Sequence, residues 1–134
     1  MSATKCAGEA NPQVHILFVD DDELMRLTST ETLNDLGYST AAAATGSAAL
    51  HYLHAGGAVD VLVTDIGLPD IPGMKLAAEV RALRPNVRVI FATGYDKSRM
   101  ASLMAEPNTS FLAKPFAPEA LALAISGALA QEKR

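Results

Sequence analysis

The chain predicts an α/β domain built on a parallel sheet with helices on both faces. Five short apolar runs of strand length alternate with helical patterns through short connections, which is the element order that crossover helices on a parallel sheet require. Four of those runs end on a polar group: Asp20 after the first, Asp65 after the third, Thr93 after the fourth and Lys114 after the fifth. In open α/β sheets ligands bind outside the carboxyl ends of the strands, so these groups, with Asp21, are expected to meet.

Taken in order, residues 14–19 form an almost continuous apolar run, as expected of a strand buried on both faces. Asp20, Asp21 and Asp22 follow it directly. Over 23–36, Met25, Thr28, Ser29, Thr32, Leu33 and Leu36 recur at helical spacing, with Gly37 as the stop signal; Thr28 and Ser29 make this predicted inner face unusually polar. Residues 38–43 form an Ala-rich, weaker strand, and 47–54 a helix ending at Gly56 and Gly57. The third strand covers 59–64. The Gly and Pro residues of 67–73 break any periodic pattern into a loop, which puts Asp65 at a strand-to-loop junction.

A helix over 74–83, a strand over 87–92, a helix over 96–105 and a strand over 109–113 come next. Pro115 fixes its own φ and cannot donate a ladder hydrogen bond, so the fifth strand must stop beside Lys114. Pro118 opens the last helix, 119–129, whose Leu121, Ala124, Ile125 and Ala128 share a face.

A length of 134 residues fits one domain, 14–131, with a polar lead-in over 1–13 expected to be disordered and a short tail over 132–134. Cys6 is the only cysteine, so an internal disulfide is excluded and a reducing, cytoplasmic setting is expected. No apolar stretch reaches the roughly 18 residues of a membrane span, and 1–13 lacks the apolar core of a signal peptide. The formal net charge of -4, without a run of lysines or arginines, argues against direct nucleic-acid binding.

If Asp20, Asp21 and Asp65 converge, each pair of charges about 4 Å apart repels by about 4 kcal/mol at an effective dielectric near 20. Such a cluster calls for a cation, and Mg²⁺ suits it because that ion takes oxygen ligands and is completed by a phosphate oxygen. A carboxylate oxygen is a competent nucleophile toward phosphorus, which makes Asp65 an acceptor. Lys114 would neutralise charge on the transferring oxygens and Thr93 would hydrogen-bond one of them. Taken singly, an acidic turn is commonly just solvated and a lysine a surface amine; the joint placement at strand ends carries the reading.

The runs Ile16-Leu17-Phe18-Val19-Asp20-Asp21-Asp22, Thr64-Asp65-Ile66-Gly67-Leu68-Pro69 to Gly73, Ala92-Thr93-Gly94-Tyr95 and Leu112-Ala113-Lys114-Pro115-Phe116 resemble, in order and spacing, the receiver domains of two-component response regulators. The resemblance covers nearly everything between 14 and 129. It implies a flavodoxin-like, doubly wound five-stranded parallel sheet of strand order 2-1-3-4-5. It also implies Asp65 as the residue phosphorylated by a sensor histidine kinase or histidine phosphotransfer protein, Asp20 and Asp21 as Mg²⁺ acids, and Gly67 as a metal ligand through its carbonyl. Thr93 and Phe111 become the switch pair, acting on the surface of the fourth predicted helix, fifth strand and fifth helix, with Lys97, Met100, Leu103 and Met104 on it. A doubly negative group would bias a preexisting two-state equilibrium there. Phe111 has no hydroxyl, so a switch through a tyrosine hydrogen bond is not open to it, and Gly67 presents no side chain to the phosphoryl group.

The expected role is that of a switch, catalysing only its own phosphorylation and dephosphorylation. No DNA-binding module follows Leu129, so output to a downstream protein target is expected, unless the chain belongs to something larger. Two other readings have weaker support. Asp20 and Asp22 make the Asp-x-Asp that opens haloacid dehalogenase-like phosphatases, but Leu24 stands where a Thr is needed and the chain is short for a cap. A module that kept the fold and lost the chemistry fits poorly with five intact site positions. His51 and His54, three apart on a helix, have no further ligands and read as partly exposed helix residues, while His15 lies early in the first strand, far from the acids.

Overall fold

Burial on both faces decides where the strands form. In the computed structural model, which describes residues 14–94, 109–114 and 116–130, the order is β1 (His15–Val19), α1 (Glu23–Asp35), β2 (Ser39–Ala43), α2 (Gly46–His54), β3 (Val61–Asp65), α3 (Gly73–Leu83), β4 (Arg88–Thr93), β5 (Thr109–Ala113) and α4 (Pro118–Ala130). All four strand pairings are parallel, in the spatial order β2-β1-β3-β4-β5. This is the 2-1-3-4-5 sheet that the resemblance implied. The helix expected over 96–105, with Lys97, Met100, Leu103 and Met104, lies outside the described residues.

Alternate side chains of each strand go to opposite faces, and two apolar layers result. Leu17, Val19, Leu62, Val89 and Phe91 pack with Leu53 of α2 and with Leu76 and Val80 of α3. Ile16, Phe18, Val61, Val63 and Ile90 pack on the other face with Leu33 of α1 and with Leu121 and Ile125 of α4. A continuous apolar strand is therefore needed wherever both faces are covered, which is why β1 and β3 read so plainly. No helix among the described residues is long and apolar enough to cross a membrane.

Several edges differ from expectation for local reasons. The third strand begins at Val61 rather than 59: Asp60 spends its carboxylate on the His15 amide at 2.8 Å, fastening the start of β1 from outside the strand. Asp65 is the last residue of β3, paired with Ala92, at the strand-to-loop junction expected of it. On α1 only Ser29 of the polar pair faces inward, where it donates to Met25 Sδ at 3.5 Å. Thr28 is exposed and its hydroxyl donates to the Leu24 carbonyl at 2.9 Å; Leu36 is half exposed and lies past the helix end. Gly37 leaves α1 at φ 98, a left-handed conformation that glycine adopts without cost.

Candidate functional site

Strand register brings the acids together. Val19 of β1 pairs with Thr64 of β3, so the next residues, Asp20 and Asp65, emerge side by side at the carboxyl edge. Asp20 is buried, 1% exposed, and the groups that accept or donate at it come from four directions. Its amide donates to the Ala43 carbonyl at 3.1 Å and its carbonyl accepts Arg26 Nη1 at 2.9 Å. Its Oδ1 accepts the Asp22 amide at 2.9 Å and its Oδ2 accepts Lys114 Nζ at 2.9 Å. A buried carboxylate persists only with such partners.

Asp65 is partly open. Its Oδ2 accepts the same Lys114 ammonium at 3.0 Å, and its Oδ1 accepts the Gly67 amide at 3.3 Å. Lys114 therefore bridges the ends of β1 and β3 from the end of β5. Burial pulls the Lys114 amine down, but hydrogen bonds and charge from Asp20 and Asp65 outweigh it and hold the group above the ordinary lysine value. Asp21 is exposed and completes a cluster in which one carboxylate oxygen each from Asp20, Asp21 and Asp65 lie within 4.8 Å of one another. Three hard oxygen donors around one point fit a hard divalent cation, and they form the site expected of the sequence.

The other expected residues are placed as follows. Gly67 is exposed two residues beyond Asp65, and a Cβ there would meet nothing within 4 Å. Thr93 closes β4, its backbone paired with Ala113 just before Lys114. Phe111 is half buried and stacks on its cross-strand partner Phe91, ring centroids 5.7 Å apart at 27°. His51 and His54 are exposed on α2. Asp22, the second acid of the phosphatase-like pair, stands outside the cluster and caps α1 by accepting the Met25 amide at 3.1 Å.

Two contributors escaped the sequence reading. Arg26 holds the Asp20 carbonyl from the first turns of α1; a lone base one turn inside a helix that follows an acidic run was its only signal. Asp70, in the loop after Asp65, accepts amides from the start of α2; in sequence it is indistinguishable from an ordinary turn aspartate.

Comparison with known proteins agrees with this geometry. Residues 16–126 match the model of the response regulator receiver domain. The chain is 33% identical over 132 residues to the sensor kinase CckA of Brucella abortus, covering 97% of this chain and 14% of that protein. Among solved structures, a response regulator receiver protein from Sinorhizobium medicae superposes with a TM-score of 0.78 at 33% identity, covering 87% of this chain and 94% of that one. The chemotaxis response regulator CheY4 of Vibrio cholerae superposes with a TM-score of 0.80 at 27% identity, covering 87% and 99%. The chain thus spans a minor part of its curated relative's length and nearly all of the isolated structures.

Proposed function

We propose, from the premise that this chain belongs to the response regulator receiver domain family of two-component systems, that Asp65 is its phosphoacceptor and that residues 14–131 make up the receiver. The observation that carries the reading is the bridge of Lys114 Nζ between Asp20 Oδ2 at 2.9 Å and Asp65 Oδ2 at 3.0 Å. It joins three strand ends at one point, where a phosphoryl group arriving on Asp65 would meet an ammonium.

An Asp65 oxygen attacks phosphorus as the nitrogen–phosphorus bond of a phosphohistidine partner breaks, and the electron pair returns to the imidazole. Lys114 stays beside the charge that builds on the transferring oxygens. Asp20, Asp21, Asp65 and the Gly67 carbonyl would hold Mg²⁺, which supplies charge neutralisation on the same oxygens when bound. Thr93 then hydrogen-bonds the attached group, and Phe111 turns inward to reshape the surface of β5, α4 and the helix expected over 96–105. A sensor histidine kinase or histidine phosphotransfer protein is the donor, a downstream protein reads the result in the cytoplasm, and the chain turns over only itself. No direct contact with nucleic acid is needed.

The test is incubation with Mg²⁺ and acetyl phosphate, read by intact mass for the wild type and for Asp65→Asn. One added phosphoryl on the wild type and none on the variant is expected. A wild type that gains nothing, or a variant that gains as much, overturns the proposal.

A further inference from the structure

The loop after Asp65 is fastened at its tip to a helix elsewhere in the chain. Asp70 Oδ1 accepts the amide of Gly46 at 3.0 Å, and its Oδ2 accepts that of Ser47 at 2.8 Å. The same Oδ1 accepts the Ile71 amide at 3.0 Å, which fixes the carboxylate within its own loop. The next amide of α2, Ala48, goes to Thr45 Oγ1 at 3.0 Å. The opening turn of α2 is thus satisfied by two residues of different origin, one local and one from the site loop. A carboxylate suits the positive end of a helix. The Ser47 amide above all, joined by those of Gly46, Asp70 and Ile71, holds the Asp70 carboxyl below its usual value against the opposing pull of burial.

Close approach makes this tether possible. A Cβ on Gly46 would stand 2.4 Å from Ile71 Cγ1, so any side chain there requires the Ile71 side chain to shift. At its base the loop is closed by the Gly73 amide on the Ile66 carbonyl at 2.7 Å and by an antiparallel bridge between Gly67 and Pro72. Leu68 is buried with the layer under α2 and α3. The loop is therefore a ring with Gly67 on its site side, and Asp70 pins the ring to α2.

We propose that Asp70 is a positioning residue of the phosphoacceptor site: by tying the 66–73 loop to the start of α2, it holds the Gly67 backbone beside Asp65 in the arrangement that receives the cation. The inference rests on the reading of Asp20, Asp21 and Asp65 as the cation site. A cap serving only the stability of α2 is the rival explanation, and Thr45 provides the control, since its side chain caps the same helix by accepting the Ala48 amide.

Mg²⁺ affinity by calorimetry and amide exchange without metal, both on the full chain, separate the two. Asp70→Ala is expected to weaken Mg²⁺ binding about tenfold, the scale typical of lost outer-shell support, and to speed exchange at Gly67. Asp70→Asn, which keeps one accepting oxygen, falls between it and the wild type, and carries the test should the alanine variant not fold. Thr45→Ala lowers the melting temperature but leaves Mg²⁺ affinity and Gly67 exchange as in the wild type. Unchanged affinity in a folded Asp70→Ala, or an equal loss in Thr45→Ala, overturns the proposal. A wild type that binds no Mg²⁺, like Asp20→Ala, sinks the cation site itself; the Gly67 exchange rates then judge the tether alone, and equal rates in wild type and Asp70→Ala overturn it.

Discussion

Gly73 opens α3 in a place with no room for a side chain. A Cβ there would lie 2.1 Å from the Asp65 carbonyl oxygen and 2.9 Å from Ile66 Cα, both main-chain atoms that no rotamer can move. Regaining an ordinary separation of 3.4 Å from that oxygen takes about 1.3 Å of movement between α3 and the end of β3. The movement would also strain the 2.7 Å bond from the Gly73 amide to the Ile66 carbonyl. Overpacking of this kind costs roughly 1–3 kcal/mol. The second cost is chemical, because the displaced atom belongs to Asp65 and its carboxylate moves with it, and a misplacement of about 1 Å at a reacting group costs on the order of 100-fold in rate.

Gly73→Ala is therefore expected to lose roughly 1–3 kcal/mol in urea denaturation and to accept phosphoryl from acetyl phosphate about 100-fold more slowly. The rate is read by intact mass at a temperature where far-ultraviolet circular dichroism shows the variant folded. A folded variant that reacts as fast as the wild type would refute the reasoning, since the boxed-in Asp65 carbonyl would then have no hold on the carboxylate.

Lys114→Met leaves Asp20 and Asp65 without the ammonium between them, so its melting temperature is expected to fall without metal and to rise with Mg²⁺ by more than the wild type's; equal Mg²⁺ shifts would contradict the bridge. The same pair of proteins gives a pH test. The folded Lys114 value lies above 10.5, so its contribution to stability is fully present below that pH and is lost as pH rises through the folded value. The stability difference between wild type and variant, by urea denaturation, should shrink over that alkaline range from its value at neutral pH. Arg84 clamps the far end of α2, donating to the Leu53 and Gly57 carbonyls at 3.2 and 2.8 Å. Arg84→Met should cost roughly 1.5–3 kcal/mol of stability with an unchanged rate of phosphorylation, and a slowed rate in the folded variant would count against its distance from the chemistry.

The strand ends were legible because a strand covered on both faces has to be apolar throughout, and it stops where polar groups begin. Asp20, Asp65, Thr93 and Lys114 each follow or close such a run, so their placement along one edge of the sheet needed no contact information. The start of β3 was not legible: Asp60 is flanked by valines and alternates as a strand residue would, yet its carboxylate is spent on His15. Periodicity likewise could not tell Thr28 from Ser29, since both fit a helical stripe and only packing against β1 and α4 chooses the inward one. Arg26 and Asp70 act through partners that local pattern does not name, the Asp20 carbonyl and the amides of another helix. Gly46 belongs with them, because the space a Cβ would take is filled by the Ile71 side chain from across the fold.

The four bonds at Asp20 fix its main chain and carboxylate from four sides. Its amide is tied to β2 and its Oδ1 to the main chain of Asp22, while Arg26 holds its carbonyl from α1. Three carboxylates remain against the Lys114 ammonium, with the Arg26 guanidinium turned to the main chain, so the cluster keeps a net negative charge that a divalent cation offsets. Of the partners of Asp20, Lys114 alone reaches in as a long side chain from another strand end, and at 22% exposed it stays open to an arriving group. On the proposed reading the carboxylates would need little rearrangement for transfer, and a site whose dipoles are already oriented saves the reorganisation cost that water would impose.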